Sequence, residues 1–139
     1  MKTLLRGLSL SVLMFALTSM AMGDIFITEI ADPNNEASAR FVELFNNGAE
    51  DVNLSDGWSL GRYTNANTTM TSTSRIPLRG VIPAGGFFIV CNDAATFLET
   101  YGMAADQSDV NSGPADSNGD DNILLLNPAW EVVDFFGRP

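Results

Sequence analysis

Histidine is absent from this chain, cysteine occurs once, at Cys91, and lysine once, at Lys2. Each scarcity removes a chemistry. Without imidazole there is no histidine general base, no Cys–His thiol catalysis and no zinc site of the His/Cys type. A lone cysteine excludes an internal disulfide. Cys91 ends the apolar run Phe87-Phe88-Ile89-Val90-Cys91, so it reads as a small buried side chain rather than a reactive thiol. A phosphate-cradling glycine loop is missing too, since Gly85-Gly86 sit before a strand and serve a turn.

Long apolar runs are confined to the first residues. Lys2 and Arg6 precede an apolar stretch from Leu8 to Met22, and Ala21-Met22-Gly23 places small residues before a cleavage point at Asp24, with Ser19-Met20-Ala21 as a second such site. The run is short for the ~20 residues of a spanning helix. Residues 1–23 are therefore expected to be a cleaved signal peptide, and residues 24–139 one domain with no membrane span. The expected location is secreted: extracellular, periplasmic or at the cell surface. Loss of Lys2 and Arg6 leaves five basic residues against seventeen acidic ones, a net charge near −12. Such a surface repels phosphate backbones, so no nucleic acid is expected as a partner.

What is present is a series of short strands. Arg40-Phe41-Val42-Glu43-Leu44-Phe45-Asn46 is the organising one, with Phe41, Glu43 and Phe45 on one face and Val42 and Leu44 on the other. Before it stands Asp24–Ile30, closed by the turn Asp32-Pro33-Asn34-Asn35. After it come Asp51–Leu54, Trp58–Leu60, Arg75–Leu78, Val81-Ile82 and Phe87–Cys91, the last being central. Pro77 marks an edge. Gly61 to Ser74 is polar and reads as an exposed loop or edge hairpin. One short helix is expected, capped by Asn92 or Asp93, carrying Phe97 and Tyr101 on one face and ended by Gly102. Ile123–Leu126, Asn127-Pro128-Ala129 and Trp130–Phe136 form a terminal hairpin. Leu44, Trp58, Ile89 and Leu125 are expected to share one core. Many short strands with one helix predict an all-β antiparallel sandwich.

In order along the chain, Ile27-Thr28-Glu29-Ile30, Phe41–Asn46, Val52-Asn53-Leu54 with Gly57-Trp58-Ser59-Leu60, Ile82-Pro83-Ala84-Gly85-Gly86-Phe87-Phe88-Ile89-Val90 and Val132-Val133-Asp134-Phe135 resemble the lamin tail domain. The resemblance implies a compact immunoglobulin-like β-sandwich. In secreted bacterial proteins it implies an accessory module, often beside hydrolases or adhesive repeats. The acidic balance departs from the basic lamin tails and speaks against DNA or chromatin. A fold does not by itself assign a function.

Carboxylates are the chemistry present in quantity. Glu29 and Glu43 occupy similar places on their strands; if the strands pair, the two approach one another as an acid/base pair requires. Hydrogen bonds to backbone or arginine are the structural alternative. In Asp116-Ser117-Asn118-Gly119-Asp120-Asp121-Asn122, oxygen donors recur at Asp116, Asn118 and Asp120, with Asp121 and Asp109 as further ligands for a calcium ion. Glycine in fourth place and Asn127 in twelfth exclude an EF-hand, and a solvated Asn-Gly turn is the alternative reading. No catalytic residue is assigned. The favoured function is a secreted noncatalytic module that binds a protein or glycan, or attaches a larger exported protein, of which this chain would be the leading part. The alternative is a carboxylate-based, metal-assisted extracellular hydrolase domain.

Overall fold

A computed structural model describes residues 25–65, 67–70, 74–109 and 113–137. The expected signal peptide lies outside the described residues. Among the described residues, ten strands and one α-helix follow in order: β1 (Ile25–Ala31), β2 (Phe41–Asn46), β3 (Val52–Asn53), β4 (Ser59–Tyr63), β5 (Arg75–Pro77), β6 (Val81–Ile82), β7 (Phe87–Cys91), α1 (Ala94–Tyr101), β8 (Gln107–Ser108), β9 (Asn122–Leu126) and β10 (Val132–Phe136). Two four-stranded sheets, β1-β2-β7-β8 and β10-β9-β4-β5, form an immunoglobulin-like sandwich, with β3-β6 as a separate two-stranded ribbon.

The strand alternation of β2 explains the layering. Val42 and Leu44 point inward and are fully buried with Ile25, Ile27, Phe88 and Val90 of their own sheet. Leu60, Ile76, Ile123 and Leu125 meet them from the other sheet, and Trp58, Leu54 and Ile82 complete the core. Phe41, on the opposite face of β2, packs with Ile89, Cys91 and Phe97 in a second cluster beneath α1. Ile89 is thus buried, but in this outer cluster rather than in the core with Leu44, Trp58 and Leu125. The reason is parity: Ile89 stands opposite Glu43, an outward position, whereas Phe88 stands opposite Leu44.

The helix forms as its sequence directs. Asp93 caps it, accepting from the Thr96 N–H at 2.8 Å, and Gly102 ends it in the left-handed region at φ 72°. By turning the chain back along the sheet, α1 allows β8 to pair parallel to β7, the exception among the otherwise antiparallel pairs of the described residues. Pro77 lies in an edge strand, as expected. Three expectations shift. β4 continues through Gly61, Arg62 and Tyr63, with the Arg62 N–H on the Ser74 carbonyl, so the polar segment starts later. Leu54 leaves β3 for a turn of 3-10 helix. Trp130 belongs to the hairpin turn, at φ 67°, and β10 starts only at Val132.

Single polar side chains seal both flanks of the sandwich. Between β1 and β10, Asp134 Oδ2 accepts the Ile27 N–H at 2.6 Å. Between β8 and the chain around β5, the Gln107 amide donates to the Pro77 carbonyl at 3.0 Å and accepts from the Arg79 N–H at 2.9 Å. Each satisfies backbone groups that an edge would otherwise expose.

Candidate functional site

Two groups of carboxylates stand out, and the fold treats them differently. The first surrounds Arg40 and Arg62. Arg40, only 8% exposed, ends the β1–β2 connection with its side chain beside the acidic loop. Its Nε donates to Asp32 at 2.8 Å, Nη1 to the Asp116 carboxylate at 3.0 Å and to the Asp116 carbonyl at 3.1 Å, and Nη2 to Asn35 at 3.1 Å. Asn34 and Asn35 adopt left-handed conformations at φ 53° and 56°, which asparagine tolerates, and this turn brings Asn35 to the guanidinium. Asn92 joins by donating to the Ala37 carbonyl at 2.9 Å. Burial alone lowers the Arg40 pKa, but the bonds and charges of Asp32 and Asp116 outweigh it and raise the value above the ordinary one.

Arg62, also buried, donates to Asp121 Oδ2 at 3.3 Å, while Asp121 Oδ1 accepts the Asn65 N–H at 2.8 Å. Of the calcium candidates, then, Asp116 is held by Arg40 and Asp121 by Arg62, whereas Asn118 and Asp120 are exposed. Asp109 faces another way and accepts from the Gln107 amide at 3.2 Å. Among the described residues, no three His, Cys, Asp or Glu side chains gather closely enough to hold a metal ion.

The second group is Glu29 and Glu43. β1 and β2 do pair, and Glu29 stands directly opposite Glu43 on the outward face of the sheet. The register shifts between Ile27 and Glu29, so Thr28 and Glu29 together oppose Glu43. The Thr28 hydroxyl donates to Glu43 Oε1 at 2.7 Å. Glu29 is exposed and Glu43 half-buried. Glu29 also faces the tip of α1: burial raises the Tyr101 pKa, and the Glu29 charge adds to the rise. This bulge was invisible in the sequence, because nothing in Thr28 marks it as an extra residue.

The outward face continues beyond the glutamates. Phe26, Phe45 and Phe87 lie in one cross-strand row, Phe26 to Phe45 edge-on at 5.6 Å and Phe45 to Phe87 tilted at 4.8 Å. Phe87 is 55% exposed. Elsewhere, Trp130 at the hairpin tip is 64% exposed, with the Arg75 guanidinium 3.5 Å from its ring centre. Cys91 is fully buried beneath α1, and burial pushes its thiol pKa up, away from nucleophilic chemistry.

The five segments that resemble the lamin tail domain now have places: β1, β2, the β3 turn with Trp58 and β4, β6 with the turn into β7, and β10. Compared with protein families, the chain matches the Lamin Tail Domain over residues 18–139. The chain belongs to that family. Lamin tail domains are noncatalytic immunoglobulin-like modules, and this one holds its acidic loop with two buried arginines. No curated protein matches the chain. No described helix of this lamin tail domain is long and apolar enough to cross a membrane.

Proposed function

We propose that this lamin tail domain acts outside the cytoplasm as a noncatalytic recognition module, binding a protein or glycan or attaching a larger exported protein. The observation that carries the reading is the division of labour among its side chains. Asp32, Asp116 and Asp121 are consumed in Arg40 and Arg62 scaffolding, while large aromatic rings are left on the surface at Phe87 and Trp130. Exposed apolar rings beside polar groups are the usual mark of a contact surface. The hydrolase alternative would rest on Glu29 and Glu43, which lie on an open sheet face.

The test pairs binding with turnover. Purified domain is applied to cell-envelope fractions and a glycan array, and in parallel to peptide, glycoside and phosphodiester substrates. Retention without turnover is expected; hydrolysis abolished by Glu43→Gln would favour the alternative. Export is read by N-terminal sequencing of the extracytoplasmic protein, which should start near Asp24; a soluble product retaining Met1 would refute that part.

Calcium enters the proposal in a reduced form. With Asp116 and Asp121 held by arginines, an ion at this loop would have Asn118 and Asp120 as side-chain ligands, completed by carbonyls and water. An affinity no tighter than ~10⁻³ M, the weak end of extracellular modules, follows.

A further inference from the structure

We propose that the outward face of the β1-β2-β7 sheet docks a basic segment of a partner protein, with arginine or lysine side chains seated over Glu29, Glu43 and the phenylalanine row. The inference rests on the recognition reading and specifies its partner. α1 covers one end of this face through Phe97 and Tyr101, whose rings meet Phe41 edge-on at 5.4 Å and 5.3 Å. The row Phe26, Phe45 and Phe87 occupies the other end and is left open, with Phe87 more exposed than covered. Glu29 and Glu43 form the strip between these two aromatic ends.

Charge identifies the occupant. Like charges directly opposite one another on a sheet are destabilising. Among the described residues the arginine–carboxylate pairs engage Asp32, Asp116 and Asp121, and neither Glu29 nor Glu43. Thr28 gives Glu43 one hydrogen bond but no compensating charge. The glutamate pair therefore persists at a cost that a cation from outside would relieve. A guanidinium can bind both carboxylates through its planar fork while its flat face lies on a phenyl ring. The formal net charge of −10 draws basic partners toward the domain from a distance.

The probe is a short fluorescently labelled peptide of alternating arginine and serine, titrated by anisotropy at physiological salt in EDTA. Glu29→Gln/Glu43→Gln should weaken binding about tenfold or more, because two charge-assisted contacts are lost. Phe87→Ala should weaken it roughly threefold, the size of an exposed cation–π contact. The control Glu50→Gln/Asp56→Asn removes as much charge elsewhere and should change affinity less than about twofold. Each altered side chain is at least partly exposed, and glutamine can still accept the Thr28 hydroxyl, so the variants keep the fold. Equal weakening in the glutamate variant and the control would mean general acidity attracts the peptide, which overturns the assignment of this face. Absence of peptide binding while envelope or glycan binding persists would overturn the proposal and leave the recognition reading standing. Self-association of the wild type, lost in Phe87→Ala, would assign the face to a second copy of the chain and overturn it as well.

Discussion

Arg40 shows how much one residue can organise. Its guanidinium joins the β1–β2 connection, through Asp32 and Asn35, to the segment before β9, through Asp116. Removing one partner of a buried ion pair leaves the others desolvated and uncompensated, which costs about 3 kcal/mol. Asp32 and Asp116 keep some contact with water, which moderates this figure. Arg40→Met should therefore lower unfolding stability by about 2–3 kcal/mol in denaturant melts. Arg40→Lys should recover only part of the loss, because an ammonium cannot reach three partners in one plane. A loss below ~0.5 kcal/mol for Arg40→Met would place the network outside the stabilising interactions.

At the scale of elements, β2 and α1 are the informative pair. Leu44 faces the main core and Ile89 the cluster beneath α1, so truncation should act in two places. Leu44→Ala and Ile89→Ala should each cost ~2–5 kcal/mol. Ile89→Ala should in addition accelerate amide exchange within Ala94–Tyr101, while Leu44→Ala should not do so selectively. The cap of α1 carries a pH dependence. The Thr96 backbone N–H, then its hydroxyl, hold the Asp93 pKa below its ordinary value. A depressed carboxylate contributes stability above the unfolded pKa of about 3.9 and loses it as pH falls through the lower folded value. Asp93→Ala should thus melt below the wild type at neutral pH, and the gap should close below about pH 4. A gap that stays constant down to acid pH would show that the carboxylate charge is irrelevant to the cap.

For the whole molecule, charge and loop composition give the remaining expectations. A domain with so few basic groups should show no measurable affinity for duplex DNA in EDTA at physiological salt; submicromolar binding would contradict this. Calcium at tenfold excess over its Kd should add about 1.4 kcal/mol to stability if it binds only the folded domain. The check is a pair of melts, in calcium of about 10 mM or more and in EDTA, repeated on Asp120→Ala, which should lose the shift. Identical wild-type melts would leave Asn118 and Asp120 as solvated turn residues.

Local pattern was enough wherever the physics is local. Alternation in Phe41–Asn46, Asp93 and Gly102 as helix stops, Pro77 on an edge and the apolar burial of Cys91 all follow from neighbours within a few residues. They were legible without coordinates. Three decisions needed the tertiary structure, because each depends on partners distant in sequence. The bulge at Thr28 exists only against β2, and it is the bulge that sets two outward residues against Glu43. The parallel strand Gln107–Ser108 has no apolar signature and is defined by β7, to which α1 returns the chain. Arg40 and Arg62 are far in sequence from Asp116 and Asp121, so the pairing that neutralises two of the acidic loop's three carboxylates could not be read from the loop's own composition. The alternation of oxygen donors was a property of sequence, but which of them remain free is a property of the fold.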